Sequence, residues 1–188
     1  MPELPEVETV VRGLQDRIVG EVIADVEVFW PASVAGQTAE AFAQGLVGHT
    51  IAGVGRRGKY VVLRLAGDGC LLVHLRMTGR LVVEEPHEPT TAEGCRYTRV
   101  LWSFASGRRL RFWDMRKFGR VHWVAAPDEA LASLGPEPLD ASFTACALGH
   151  MLRSRHRQVK PLLLDQRFLA GLGNIYVDEA LWEARIHP

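Results

Sequence analysis

The chain has 188 residues, 47% hydrophobic and 23% charged, an ordinary globular composition that excludes wholesale disorder. No apolar run approaches the ~20 residues a membrane-spanning helix needs, and the acidic start lacks a signal peptide's basic and apolar regions, so a cytosolic protein with no membrane partner is expected. Cys70, Cys95 and Cys146 are odd in number and far apart, offering neither a disulfide framework nor a C-x-x-C metal half-site.

Residues 5–19 predict a helix: Val7, Val10, Val11, Leu14 and Ile18 recur at helical spacing, with Pro5 near the start and Gly20 at the end. Strand patterns follow at 22–29, 51–57, 60–66, 70–75, 79–84, 97–104, 109–113 and 119–125, interrupted by a short helix near 38–45. Gly67-Asp68-Gly69 and Ser106-Gly107 are hairpin turns, and 85–95 is a polar loop. About eight short strands with close turns suggest a sandwich or barrel. Leu134-Gly135-Pro136-Glu137-Pro138 marks a boundary, after which helices are predicted at 142–153, 161–165 and 176–184. That helical piece is too short to own a full core.

The net charge of zero, from 22 basic and 22 acidic residues, hides segregation. Residues 51–125 hold 14 basic and 6 acidic side chains, and Arg153, Arg155, Arg157 and Lys160 form a second basic cluster. Such clustering suits a polyanion, although charge alone favours a solvated strand face slightly more.

Removal of Met1 leaves Pro2 with a secondary α-amine, which titrates near ~8 and has a sizeable neutral, nucleophilic fraction. Glu3 and Glu6 stand beside it as proton donors. Read by physics alone, Pro and Glu here are good first-turn helix residues.

Met1-Pro-Glu-Leu-Pro-Glu-Val-Glu-Thr9 resembles the start of the formamidopyrimidine-DNA glycosylases, bacterial repair enzymes for oxidised purines. Five further segments match that family in order: Arg57-Gly-Lys-Tyr60, His74-Leu-Arg-Met-Thr-Gly79, Asp114-Met-Arg-Lys-Phe-Gly119, Leu134-Gly-Pro-Glu-Pro138 and Gly171-Leu-Gly-Asn-Ile-Tyr176. The resemblance implies an α+β fold. Residues 1–130 become a catalytic two-layer β-sandwich with an N-terminal helix. Residues 131–188 become the first part of a helix-two-turn-helix DNA-binding domain.

It also implies bifunctional glycosylase and AP-lyase chemistry on double-stranded DNA with an oxidised base, by a monomer. Pro2 is the implied Schiff-base nucleophile, Glu3 the acid/base at the sugar oxygen, and Lys59 the residue assisting β-elimination. Glu6 supports the site. Met77, Arg116 and Phe118 match the trio that fills the gap left by the extruded base. Taken singly, Met77 and Phe118 are more often core residues, and His74 is more often a satisfied core histidine than a phosphate contact. Tyr97 falls where many members have a DNA-contacting histidine. Lys160 matches a phosphate ligand, and Gly173, Asn174 and Tyr176 open a helix whose freed amides suit a phosphate.

The family's four-cysteine zinc finger would lie beyond Pro188, so no cofactor is expected among these residues, and weak activity is expected of them alone. Two further readings stay open. One is the sister endonuclease VIII-like branch for oxidised pyrimidines, whose start usually reads Pro-Glu-Gly-Pro. The other is a non-catalytic DNA-binding homologue.

Overall fold

The computed structural model describes residues 2–67, 69–88 and 96–188. The tip of the first hairpin turn, Asp68, and most of the polar loop, with Cys95, lie outside them. Helix α1 (Leu4–Ile18) begins with a reciprocal N-terminal contact, the Glu6 carboxylate accepting from the Glu3 amide at 2.9 Å. It buries Val7, Val11, Leu14 and Ile18, the stripe its 3.6-residue period predicts.

Among the described residues eight strands follow: β1 (Ile23–Val28), β2 (Ile51–Arg57), β3 (Tyr60–Leu65), β4 (Cys70–His74), β5 (Arg80–Glu84), β6 (Thr98–Phe104), β7 (Arg109–Trp113) and β8 (Arg120–Val124). They form two four-stranded antiparallel sheets, ordered β1-β6-β7-β5 and β2-β3-β4-β8. The inward residues alternate, with Val61, Leu63 and Leu65 on β3 meeting Val100, Trp102 and Phe104 of β6 in one core. Helix α2 (Ala39–Leu46) adds Phe42, which meets Trp102 edge to face at 6.4 Å. β4 is buried along its whole length. Its outer residues Cys70 and Leu72 are covered, with Val62, by Leu131 of the short helix α3 (Pro127–Leu131).

Helices α4 (Ala145–Arg153), α5 (Val159–Leu164) and α6 (Asn174–Glu183) complete the chain. Together with the segment between α5 and α6 they bury a small cluster: Leu162, Leu163, Phe168, Leu169, Val177 and Leu181.

The segment 134–138 is a junction rather than a free linker. The Glu137 carboxylate accepts from Arg56 at 2.6 Å, from Arg57 at 3.0 Å and from the Gly58 amide, all on the β2–β3 hairpin. Arg57 also donates to the carbonyls of Leu134 and Gly135. Burial pushes the Glu137 carboxyl up, but the Gly58 amide and the two guanidinium groups outweigh it and hold it below the ordinary carboxylate range. A second tie joins α1 to the glycine turn before α6. The Leu4 amide donates to the Gly171 carbonyl at 3.0 Å, and Gly171, at φ 91°, leaves no room for a side chain against Leu4.

Candidate active site and nucleic-acid interface

Glu3 is 3% exposed and sits where the two halves meet. Its carboxylate accepts from the amides of Gly173 (2.7 Å), Ile175 (2.9 Å) and Tyr176 (3.3 Å) at the start of α6. A carboxylate at a helix N-terminus satisfies amides that lack an intrahelical partner and opposes the helix dipole. A Cβ on Gly173 would stand 2.4 Å from the Glu3 carboxyl carbon, so only glycine admits this approach. Three of the amides expected to suit a phosphate are thus taken by Glu3. The exposed side chain of Asn174 donates to Asp178 at 3.2 Å.

Glu6 is exposed and bridges the same point, accepting from the Tyr176 hydroxyl at 3.3 Å while it caps α1. Desolvation, followed by the Glu6 charge, raises the Tyr176 phenol. Pro2 and Glu6 line an open cavity of about 520 Å³ with Leu75, Met77, Thr78 and Met115. The expected nucleophile therefore stands at a concavity with largely apolar walls.

Lys59 is the second residue of the β2–β3 turn and is 5% exposed. Burial pushes its ammonium pKa down, the Glu3 charge opposes that shift and Arg76 adds to it. The charges of Lys59 and Glu3 thus act on each other, although 56 residues separate them in the chain.

His74, at the end of β4, is buried against Tyr60 with ring centroids 4.8 Å apart. Its Nδ1 accepts from the Arg76 amide at 3.1 Å, which places the proton of the neutral ring on Nε2. Burial first, then Arg76 and Lys59, push its pKa down to about 4. It is both a packed histidine and a fixed Nε2–H donor.

Met77, Arg116 and Phe118 lie on two adjacent turns, and Met77 and Phe118 are each 47% exposed. These side chains are outside the core. Arg76 and Lys117 take positive φ values of 54° and 62°, uncommon for residues with a Cβ. The fully buried Asp114 ties the turns together. It accepts from the Thr78 hydroxyl, the Arg116 amide at 3.2 Å and the Gly119 amide at 2.7 Å. The Arg116 guanidinium stacks 4.8 Å from the Phe118 ring centre.

Tyr97 meets Trp113 edge to face at 5.3 Å, with the Arg96 and Arg99 guanidinium groups over its ring. Lys160, on α5, pairs with Asp178 of α6 at 2.6 Å, next to Asn174.

Of the 14 basic residues in 51–125, eleven fall into two groups. Arg56, Arg57, Arg108, Arg109 and Arg111 are paired to carboxylates and hold the fold. Among the described residues, Arg76, Arg80, Arg99, Arg116, Lys117 and Arg120 have no carboxylate partner, and they gather around the Met77 and Phe118 turns. No group of three His, Cys, Asp or Glu side chains among the described residues is arranged to hold a metal, with Cys70 buried and Cys146 exposed. Among the described residues no helix is long and apolar enough to cross a membrane.

A profile of the formamidopyrimidine-DNA glycosylase N-terminal domain matches residues 1–121, and one of the family's H2TH domain matches 134–188. Formamidopyrimidine-DNA glycosylase of Protochlamydia amoebophila is 48% identical over all of this chain, which spans 67% of that protein. The Moorella thermoacetica enzyme is also 48% identical, with 69% of its length covered. The chain belongs to the formamidopyrimidine-DNA glycosylase family.

The α+β architecture expected from the sequence agrees with solved members of that family. The Lactococcus lactis glycosylase bound non-covalently to AP-site DNA superposes with TM-score 0.87 at 38% identity, covering 99% of this chain and 71% of the other. A variant of that enzyme bound to Fapy-dG-containing DNA gives 0.88 at 39%, covering 100% and 68%. Sequence reasoning missed Asp114 as the tie between the two turns and Glu137 as the carboxylate of the junction. Their signal was their place inside two matched motifs, but their long-range partners are invisible in local patterns.

Proposed function

We propose that this glycosylase excises oxidised purines from duplex DNA and cuts the resulting abasic strand through an imine formed by Pro2. Membership of the family makes the chain a DNA glycosylase of the base-excision-repair type. The observation that carries the finer reading is the Glu3 carboxylate, held by three α6 amides beside Pro2 at the mouth of the cavity.

With Met1 removed, the Pro2 amine attacks C1′ of the damaged nucleoside, and the base leaves. Glu3, oriented through both carboxylate oxygens, delivers a proton to the sugar ring oxygen. The ring opens to an iminium ion, which carries a permanent positive charge because proline is a secondary amine. That charge acidifies the C2′ proton. Lys59, its ammonium pKa lowered by burial, removes this proton and the 3′ phosphate departs. Met77, Arg116 and Phe118 fill the vacated stack, and the Arg116 fork reads the opposite base, favouring cytosine. His74 donates from Nε2 to a backbone phosphate; Lys160 and Asn174 hold another; Tyr97 and Tyr176 line the same track.

The reading is tested with a panel of duplexes. Excision of 8-oxoguanine and formamidopyrimidines, with a preference for opposite cytosine, is expected. Excision of thymine glycol without 8-oxoguanine would assign the chain to pyrimidine lesions instead.

A further inference from the structure

The loop that carries Arg116 and Phe118 is held from both ends by opposite charges. At its start Asp114 collects the amides of Arg116 and Gly119. At its end the Arg120 Nη1 donates to three successive carbonyls: Lys117 at 3.1 Å, Phe118 at 3.1 Å and Gly119 at 2.8 Å. Between them, the Lys117 ammonium sits 3.7 Å above the Trp30 ring at a left-handed backbone position.

Three consecutive carbonyls turned toward one point repel each other, and the conformation needs a cation at their focus. A guanidinium supplies it from a fixed place, because Arg120 opens β8 directly opposite His74 in register. Arg120 touches neither Pro2 nor Glu3 in any hydrogen bond, and it reaches the wedge only through the loop backbone.

We infer that Arg120 is a positioning residue for base extrusion: it gathers the 117–119 carbonyls and so presents Arg116 and Phe118 to the DNA stack. This rests on the wedge role proposed above. Arg120 also lies opposite the phosphate donor His74, and the competing assignment is a phosphate ligand.

The test compares Arg120→Met with wild type, using Phe118→Ala as the reference for wedge loss. Excision from an 8-oxoguanine·cytosine duplex is measured alongside cleavage of an abasic site in single-stranded DNA, which needs no extrusion. Arg120→Met is expected to slow duplex excision about tenfold, the effect of losing one charged hydrogen-bond cluster, and to spare single-strand cleavage. The slope of log affinity against log salt is expected to stay unchanged.

A slope reduced by about one would make Arg120 a phosphate ligand and overturn the inference. Equal losses on both substrates would make it a scaffold residue. Unaltered duplex excision in Arg120→Met, with Phe118→Ala impaired, would refute the inference alone. Unaltered excision in Phe118→Ala would remove the wedge reading itself.

Discussion

The Glu3 carboxylate accepts a 2.7 Å hydrogen bond from the Gly173 amide, across 170 residues of chain. This contact joins the first turn of α1 to the first turn of α6 and fixes the acid/base group of the proposed site. Gly173 has ordinary extended dihedrals (φ −126°, ψ −165°), so alanine meets no backbone strain there. Its Cβ would nevertheless displace Glu3 from all three amides. Gly173→Ala is expected to lower duplex excision about 100-fold, the scale of an ångström-level misplacement. It should also lower stability by about 2 kcal/mol through loss of charged hydrogen bonds. Single-turnover excision and urea denaturation check both figures.

Asp114→Asn keeps the size but replaces one acceptor oxygen with a donor. Thr78, Arg116 and Gly119 all donate to this group, so at least one backbone amide then faces an NH2. A loss of about 2–3 kcal/mol is expected. Duplex excision should fall more than single-strand cleavage, because the Met77 and Phe118 turns loosen together. Thermal melting and the two cleavage assays read this out.

Glu137 makes the junction pH-dependent. Its folded pKa is depressed, so its contribution is present above the ordinary glutamate value near 4.5 and is lost as pH falls through the folded value. Glu137→Gln is expected to cost about 2 kcal/mol at pH 7, since Arg56 and Arg57 lose their shared carboxylate in a partly buried place. The cost should shrink below pH 4.5. Urea denaturation of both proteins at pH 7 and pH 4 gives the difference.

His74 should be neutral, with its proton on Nε2, throughout pH 5–8. Its folded pKa of about 4 lies below the unfolded 6.5, so the unfolded chain binds more protons between these values. Stability from this group is present above 6.5 and is lost progressively toward pH 4, by about 3 kcal/mol in total. Imidazole 15N chemical shifts followed from pH 8 to 4 show the tautomer and the titration directly.

Most elements were legible from local patterns. The strand at 109–113 ends where expected, and α1 is displaced by one residue, because period-2 and period-3.6 burial act within a few neighbours. Pro2, Lys59 and the Arg116–Phe118 turn were singled out by the motifs they share with the family, since each read singly has an ordinary structural explanation. The site was not legible where function depends on distant pairing. The α6 amides read as a phosphate cradle until Glu3 arrived from the other end of the chain. The excess of arginine in 51–125 read as one basic face until Glu84, Glu85 and Glu137 claimed five of those residues. Carboxylate partners far away in sequence decide which cations stay available for DNA.

The account turns on the Pro2 amine, and borohydride trapping on a duplex with 8-oxoguanine opposite cytosine tests it most directly, with intact mass measured on the free protein. A covalent protein–DNA adduct mapped to Pro2, in protein lacking Met1, is the result the account predicts. No adduct from protein whose mass shows Met1 removed, or an adduct mapped to another residue, would contradict it.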